Sequence, residues 1–344
     1  MKGDFLEIIE AAYAESADPD AWLKGALEAV RPHLDRGTGV FAHRFTHGKD
    51  DFWRGRIHCL GADEALAKSL DGLTAFLDQM PKEAALAYAR RFYPRAPMVV
   101  WASELAGGSL RGSFGEYRRT LGVEGSVALD GFGDSLGVLA ADPSGHGCIF
   151  FTIDSKPTRL PTRTIAAWRR VAAHLVTGYR LVRQRCDAKD AILSPTGKVL
   201  HLEPEVTRKD AEPLCEATRA IDRARGKLRR TDPDRALALW RGLVDGRWSL
   251  VDHFDHDGRR YVVAKRNAPE VLPWHSLTAR ESQILAFVAQ GQTHKIIAYQ
   301  LGLSPSAVGE SLVRARKKVG ARSRLDLVSA YLSARDSSHE STEP

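Results

Sequence analysis

The chain has 344 residues, 43% of them hydrophobic, and this is enough apolar material for two or three buried cores. Its longest apolar runs, such as Met98–Trp101 and Cys148–Phe151, fall far short of the roughly 20 residues that a membrane-spanning helix needs, so no membrane association is expected. The four cysteines lie far apart with no CxxC pair, which argues against a zinc site or a disulfide framework and fits a cytoplasmic protein.

The formal net charge of +7 is distributed unevenly along the chain. Residues 275–336 carry nine Lys or Arg against four Asp or Glu, whereas the residues before them carry 41 basic and 37 acidic side chains. Positive charge is therefore concentrated near the carboxyl end, where it favours binding to a polyanion. A basic surface that is merely solvated is the alternative interpretation.

Residues 1–190 predict a domain that combines helices with a sheet. Two amphipathic helices are indicated between Asp4 and Arg31, and Asp18-Pro19 starts the second. A helical block, Asp63–Phe92, divides the strands, which are indicated at Thr38–Thr46, Phe52–Leu60, Ser126–Phe132, Leu136–Ala141 and Cys148–Ile153. This α+β layout resembles a GAF/PAS-like α/β sandwich, and the resemblance implies a sensory domain.

A long helix is predicted to close this first domain. Its apolar residues alternate at spacings of three and four over about three heptads, as in a coiled-coil seam. They are Ile165, Trp168, Ala172, Leu175, Tyr179, Val182 and Cys186. One interpretation is that the first six of these residues form the dimerisation surface of a homodimer. The other is an amphipathic helix that lies on its own sheet, and the sequence leaves both open.

Residues 191–267 predict a smaller α+β module whose edges resemble the first and last strand pairs of a PAS domain. Pro195-Thr196-Gly197 predicts a turn between two short strands, and two helices follow it. The module ends in a hairpin that turns near Asp257-Gly258. A small α+β module of another kind is the alternative.

Two polar clusters in this module have functional interpretations that we do not adopt. Asp252, His253, Asp255, His256 and Asp257 could be metal ligands, but alternate strand residues face opposite sides and polar residues crowd hairpin ends. A basic run could touch DNA phosphates, although such a run is usually a solvated helix face; it comprises Arg219, Arg223, Arg225, Lys227, Arg229 and Arg230. No metal, cofactor or catalytic residue is predicted, and the sequence has no nucleophile elbow or phosphate loop that would indicate an enzyme.

Helix start and stop signals become dense from Leu277 to Val328, after a proline-bearing linker at 268–276. Four successive helices are indicated. Their signals are the Thr278/Glu281 capping box with Gly291, Thr293 with the Leu301-Gly302-Leu303 turn, Ser304 with Pro305, and Ser323 with Asp326. The segment therefore predicts an all-α unit of four helices.

The third of these helices is predicted to be amphipathic and basic. At 100° per residue, its inward side comprises Val308, Leu312, Ala315 and Val319. Ser306, Glu310 and Lys317 point the other way, Val313 and Arg314 flank them, and Lys318 can reach a DNA backbone. A short basic helix after a glycine turn can enter the DNA major groove with its early residues near base edges.

The segment Leu277–Val328 resembles the LuxR/FixJ-type helix-turn-helix. The resemblance is carried by LTARE at its start, the Gly291 position, Lys295-Ile296-Ile297-Ala298, LGLS, Val308, Arg316-Lys317-Lys318 and Arg322-Ser323-Arg324. It implies that Lys295 contacts phosphate and that the Ser304–Lys318 helix reads the operator. Together with the helix geometry it predicts DNA contacts at Thr293, Lys295, Ser304, Ser306, Glu310, Arg314, Lys317 and Lys318.

The third helix departs from the family pattern at three positions. Ala307, Gly309 and Ser311 stand where the family typically has Thr, Lys and His, so its usual base contacts do not carry over. Gly309 also costs helix stability, by about 1 kcal/mol relative to Ala. Glu310 could accept a hydrogen bond from a cytosine amino group.

These observations predict a cytoplasmic transcription regulator of the LuxR type that binds double-stranded DNA as a homodimer. Its segments are a sensory and dimerisation domain (1–190), a PAS-like module (191–267), a linker (268–276), the helix-turn-helix domain (277–335) and a disordered tail (336–344). The sensory part would respond to a small-molecule effector or a protein partner. The alternative is a ligand or redox sensor that acts mainly through protein contacts, with Cys59 and Cys148 as the thiols to test.

Overall fold

The computed structural model describes residues 4–16, 18–48, 51–93, 98–105, 134–141, 145–154, 159–183, 189–240, 243–244, 248–254, 258–266 and 277–338. The predicted strand Ser126–Phe132, the linker 268–276 and Cys186 lie outside these residues. Internal contacts divide the chain into two compact units, Met1–Arg183 and Gln184–Pro344. Within the described ranges, no helix is both long and apolar enough to cross a membrane.

The described part of the first unit is built on an antiparallel sheet of six strands. Its helices are α1 (Phe5–Ala12), α2 (Pro19–Leu34), α3 (Glu64–Asp78), α4 (Lys82–Phe92), α5 (Ala102–Leu105) and α6 (Thr162–Arg183). Its strands are β1 (Val40–His47), β2 (Phe52–Arg54), β3 (His58–Leu60), β4 (Met98–Trp101), β5 (Asp134–Ala141) and β6 (His146–Asp154). The strand order is β2-β1-β6-β5-β4, and β3 also pairs with β1.

The predicted single strand Phe52–Leu60 is wrong, because this segment forms two strands. β2 pairs with the end of β1, whereas β3 pairs with its beginning. Gly55 lies between them and donates its backbone N–H to the carbonyl oxygen of Arg44 at 2.8 Å. The apolar run Met98–Trp101 forms β4, a strand that the sequence does not predict.

The first two helices begin where the sequence predicts. Asp4 caps α1 by accepting a hydrogen bond from the backbone N–H of Leu6 at 2.9 Å. Asp18 caps α2 by accepting from the backbone N–H groups of Asp20 and Ala21, each at 2.8 Å. Pro19 then takes the first helical position, where its missing N–H has no helical partner to lose.

Helix α6 packs inside the first unit, which corrects the predicted dimerisation surface. Trp168, Ala172, Leu175 and Tyr179 are at most 4% exposed, while Ile165 and Val182 are half-buried. The ring of Trp168 meets that of Phe5 edge-on at 5.0 Å, and the ring of Tyr179 lies 5.7 Å from that of Trp22. The four buried residues cannot contact a partner in this fold, and the alternative of an amphipathic helix that lies on its own sheet agrees with their burial.

The first and last helices of this unit approach each other at backbone distance. A Cβ atom at Gly178 would lie 2.0 Å from the carbonyl oxygen of Ala12, so only glycine fits there. Oη of Tyr13 lies 3.0 Å from Nδ1 of His174, and burial lowers the pKa of His174 to about 3, so its ring is neutral at pH 7. These contacts fasten α1 to α6.

The second unit begins with an antiparallel sheet of five strands. Its strands are β7 (Ala191–Leu193), β8 (Val199–Leu202), β9 (Leu243–Val244), β10 (Trp248–Phe254) and β11 (Arg260–Arg266), in the order β8-β7-β11-β10-β9. The helices of this module are α7 (Arg208–Arg225), α8 (Lys227–Thr231) and α9 (Pro233–Leu239). The turn at Gly197, where φ is +77°, and the β10–β11 hairpin are both as predicted.

Ion pairs join α7 to this sheet. The guanidinium of Arg225 pairs with Asp252, and that of Arg260 pairs with Asp222. Arg225 also lies over the ring of Trp240 at 4.4 Å from its centroid. The prediction of a solvated face is therefore wrong for Arg225, because this side chain packs against the module itself.

Asp252 and His253 are neighbours on β10 and have different partners, as expected because adjacent strand residues face opposite sides of a sheet. Asp252 binds Arg225, whereas Nε2 of His253 lies 3.4 Å from Nζ of Lys189. Asp255, His256 and Asp257 lie outside the described residues. In the part of the chain that is described, no group of three or more His, Cys, Asp or Glu is arranged to hold a metal ion.

The carboxyl-terminal part of this unit forms the four predicted helices. They are α10 (Ala279–Ala289), α11 (His294–Leu301), α12 (Pro305–Val319) and α13 (Arg324–Ser338). The prediction of a disordered tail at 336–344 is wrong at its start, because α13 continues to Ser338, and residues 339–344 lie outside the described range.

Candidate nucleic-acid interface

The four helices of this domain begin at the capping residues that the sequence predicts. Thr278 and Glu281 form the reciprocal capping box, with Oε2 of Glu281 accepting from the N–H of Thr278 at 2.9 Å. Gly302 ends α11 in the left-handed conformation with φ +65°, which glycine adopts without strain. Ser304 then caps α12, and this tight turn sets the angle between α11 and α12.

The inward side of α12 enters the common core of the four helices. Val308 and Ala315 are fully buried, Leu312 is 8% exposed, and Val319 packs against the same cluster. Ile284 and Leu285 from α10, Ile297 and Leu301 from α11, and Leu327 from α13 complete the core. Burial of this stripe fixes which side of α12 faces outward.

The outward side of α12 is exposed and mostly polar. It comprises Ser306, Glu310, Val313, Arg314 and Lys317. Val313 is 46% exposed, and such an apolar group on a polar face matches the methyl group of thymine in a major groove. The structure thus brings Ser306, Glu310, Arg314 and Lys317 together on one accessible surface, as the sequence predicts.

Two of the predicted contact residues, Thr293 and Ser304, also cap helices. Thr293 caps α11, with its Oγ1 accepting from the N–H of Ile296 at 3.4 Å. Ser304 accepts from the N–H of Ala307 at 3.1 Å, and its Oγ lies 2.8 Å from Oγ of Ser306. Lys295 is exposed in the first turn of α11, close in sequence to the Thr293 cap.

A buried carboxylate links α12 to α10, and sequence reasoning missed it. Nζ of Lys318 donates to Oε2 of Glu281 at 2.8 Å, and Nε of Arg314 lies 3.8 Å from Oε1 of the same group. The Glu281 side chain is only 5% exposed. Burial alone would raise the pKa of Glu281, but hydrogen bonds from Lys318 and Thr278 hold it below its ordinary value. The predicted DNA contact Lys318 is therefore committed to this link in the free protein.

Residues 275–331 match the family described as bacterial regulatory proteins, luxR family. This segment is a LuxR-type helix-turn-helix domain. Such domains bind DNA in transcription regulators, so DNA is the partner of this one. No curated protein matches the chain.

The LuxR-type domain differs from the family pattern on the inner edge of α12. Ser311 is 5% exposed, and its Oγ donates to the carbonyl oxygen of Ala307 at 2.8 Å and accepts from Nη2 of Arg314 at 2.9 Å. Ser311 therefore orients Arg314 instead of facing outward. Beside it, a Cβ at Gly309 would find its nearest neighbour, Nδ1 of His294, at 4.0 Å, so the glycine leaves open space.

The first unit contains a cavity of about 450 Å³ between α2, β3 and α3. Its apolar lining comprises Leu27, Ile57, Leu60, Ala67 and Leu70, and its polar lining comprises Lys24, Glu28, Arg56, His58, Cys59 and Asp71. This volume lies within the range of small-molecule pockets, although the lining is about as polar as it is apolar.

Proposed function

We propose that the chain is a sequence-specific transcription regulator, not an enzyme, and that it acts in the cytoplasm as a homodimer. The outward face of α12 reads base edges in the major groove, and Lys295 and Lys317 bind phosphate. One observation carries this proposal: the inward side of α12 is buried in the LuxR-type core while Ser306, Glu310, Arg314 and Lys317 are exposed together.

Genome-wide mapping of binding sites with the full chain tests this proposal. We expect a recurring sequence motif, since Glu310 and Arg314 can distinguish bases by hydrogen bonding. The Glu310→Ala variant should change the preferred base at one position of each half-site, because one acceptor is lost. The Lys295→Ala variant should weaken all sites by a similar factor without changing the motif, because phosphates carry no base identity. A wild-type map without any enriched motif would contradict the proposal.

We further propose that the first unit and the module at 191–266 are GAF/PAS-like and that the first unit senses a small molecule in its 450 Å³ cavity. In the second sheet the first strand pair is β7 with β8 and the last is β10 with β11. Strands β7 and β11 are neighbours, which supports the PAS-like interpretation. The cavity lining supports an effector with an apolar body and at least one charged group, because Lys24 and Arg56 face it beside Leu27 and Leu70.

Thermal unfolding of the full chain against a metabolite library tests the sensory proposal. A cavity ligand should raise the Tm, because it binds the folded state only. The Ala67→Trp variant fills the cavity and should lose this response, whereas Ala65→Trp, on the exposed side of the same helix, should keep it. A ligand that stabilises wild type and Ala67→Trp equally would place the sensory site elsewhere.

The competing function, a redox sensor based on Cys59 and Cys148, is limited by the sheet. Cys148 is fully buried, and burial raises the pKa of its thiol, so it is a poor nucleophile. Cys59 pairs with Phe41 and Cys148 with Arg44, on opposite sides of β1. Two strand spacings and three residues of offset separate them by about 14 Å, well beyond disulfide reach. A redox response would therefore depend on the exposed Cys59 without Cys148 as its partner.

A further inference from the structure

The LuxR-type domain contacts the module at 191–266 through Tyr299 of α11. Oη of Tyr299 donates to the carbonyl oxygen of Leu237 at 3.0 Å and lies 3.4 Å from that of Trp240. Both carbonyls belong to the end of α9, where the last C=O groups of a helix have no partner within it. Tyr299 therefore acts as a cap for a helix in another module.

The same end of α9 is connected to the core of its module. The ring of Trp240 is 2% exposed and lies 4.4 Å from the guanidinium of Arg225, which is ion-paired with Asp252 on β10. A continuous set of contacts thus runs from the sheet to the LuxR-type domain. It consists of Asp252, Arg225, Trp240 and Tyr299, and we call it the Asp252–Tyr299 path.

The docked LuxR-type domain keeps its DNA-reading surface accessible. Ser306, Glu310, Arg314 and Lys317 are exposed, and so is Lys295, one helical turn before Tyr299. Residues four positions apart on a helix share a face, so the docking contact lies directly beside a predicted phosphate contact. The contact therefore orients the reading helix without covering it.

We infer that the α11 surface around Tyr299 is a docking surface whose partner is this chain's own module at 191–266, and that the Asp252–Arg225 pair controls how firmly the LuxR-type domain is held. A ligand or partner that breaks this pair would release Trp240, weaken the Tyr299 cap and free α12 to reorient. Two linked states whose populations shift in this way form a coupling mechanism. Its consequence for regulation rests on the proposed function, but the docking itself does not.

Hydrogen exchange of the full chain, without DNA, tests the docking. The Tyr299→Phe variant removes the hydroxyl and keeps the ring, so amides of residues 294–301 and 233–239 should both exchange about five-fold faster, as for one lost neutral hydrogen bond. Tyr331→Phe is the matched control, since Tyr331 is a buried tyrosine on α13 of the same domain. It should leave residues 233–239 unchanged.

Two ion-pair variants then test the path. Asp252→Asn breaks the ion pair with Arg225, the residue that packs on the ring of Trp240. Amides of residues 294–301 should then exchange about two-fold faster or more, which is the lower end of the effect of mutations that couple two sites. Asp222→Asn is the matched control. It breaks the ion pair of Asp222 with Arg260, which lies between α7 and the same sheet and does not involve Trp240, so it should speed exchange only within 191–266.

The inference is overturned if Tyr299→Phe changes exchange in only one of the two modules, or if Asp252→Asn and Asp222→Asn affect residues 294–301 equally. Binding of the Tyr299→Phe variant to a mapped genomic fragment is measured separately. Loss of docking with DNA binding retained supports the inference. Unchanged exchange in the Tyr299→Phe variant would refute the docking. A wild-type chain that binds no DNA would separately refute the proposed function.

Discussion

Glu281 combines three interactions that connect the first and third helices of the LuxR-type domain. Its carboxylate accepts from the backbone N–H of Thr278 and from Nζ of Lys318, and it lies near Arg314. The folded-state pKa is held below its ordinary value of 4.5. The stabilisation is therefore fully present above pH 4.5 and is lost as the pH falls through the lower folded-state value.

The Glu281→Gln variant should lower the unfolding free energy at pH 7 by about 1–2 kcal/mol, because it weakens a charge-assisted hydrogen bond. The difference from wild type should shrink below pH 4.5, where the wild-type carboxylate is also neutralised. Urea unfolding at several pH values measures this. Glu310→Gln removes the same charge from an exposed site and should change little, and an equal effect of both variants would show that only net charge matters.

Gly309 offers a stabilising substitution in the middle of α12. Its backbone is helical and a new Cβ would have no neighbour closer than 4.0 Å. The Gly309→Ala variant should therefore raise the unfolding free energy by about 0.5–1 kcal/mol. Gly320→Ala is the matched control: it also has open space, but its φ of +72° is unfavourable for alanine, so stability should fall. A gain at both positions would contradict the backbone argument.

Single residues were predictable where their chemistry is local. Asp18, Thr278 and Ser304 all cap helices as expected, because a cap needs only its own next three residues. The link between Glu281 and Lys318 spans 37 positions and depends on how two helices pack, so capping signals could not predict it. The family pattern gives Ser311 no role, because its contact with Arg314 is seen only in its burial and in the hydrogen bond that it accepts from Nη2 of Arg314.

Helix α12 carries the charges that bind the DNA backbone. Replacing Lys317 with Ala should lower the slope of log K against log salt by about 0.9, as expected for one released phosphate counterion. Titrations of the full chain with a mapped fragment at several salt concentrations measure this slope. Lys198→Ala removes an exposed charge from the β7–β8 turn and should leave the slope unchanged. An unchanged slope for Lys317→Ala would remove this residue from the interface.

Helix α6 is now expected to stabilise its own domain. The Leu175→Ala variant creates a cavity at a fully buried position and should cost about 2–5 kcal/mol of unfolding free energy, whereas Arg169→Ala on the exposed side of the helix should cost little. Light scattering under native conditions should find the same oligomeric state in all three proteins. A dimer that dissociates in Leu175→Ala without any loss of stability would restore the seam as an interface.

Helical elements were easier to predict than their surroundings. The boundaries of α10 to α13 followed from caps and periodicity, because these signals are close in sequence. The heptad-like pattern of α6 located the helix but could not identify what covers it, since a coiled-coil seam and a domain core bury similar side chains. The split of residues 52–60 into β2 and β3 depends on pairing with β1, which is a long-range property.

At the scale of the whole molecule, a homodimer on DNA would place two α12 helices in successive major grooves. We expect the full chain to protect two half-sites whose centres lie about one helical turn, or roughly 10 base pairs, apart. Hydroxyl-radical footprinting on mapped fragments measures this spacing. Protection of a single half-site at saturating protein would contradict the proposed dimer.

The arrangement of modules was the least accessible to sequence reasoning. The concentration of basic residues at 275–336 pointed to the DNA-binding end of the chain. The contact of Tyr299 with Leu237 and Trp240 had no comparable signal, because its acceptors are backbone carbonyls that every residue possesses. Composition can locate a function along a chain, but it cannot identify which modules touch.

The fastening of α1 to α6 also has a consequence for synthesis. Tyr13 and His174 are 161 residues apart. At a synthesis rate of about 5–20 residues per second, the helix that covers α1 is therefore made roughly 10–30 s after α1 itself. During that time its apolar residues Leu6, Ile8 and Ile9 lack this cover and are open to chaperones or to aggregation. The LuxR-type domain lies within residues 277–338, so its contacts join residues much closer in sequence, and we expect it to fold soon after it emerges. Variants that weaken the α1–α6 contacts only slightly should therefore already reduce the yield of folded protein, whereas the affinity for DNA should change only in more severe variants.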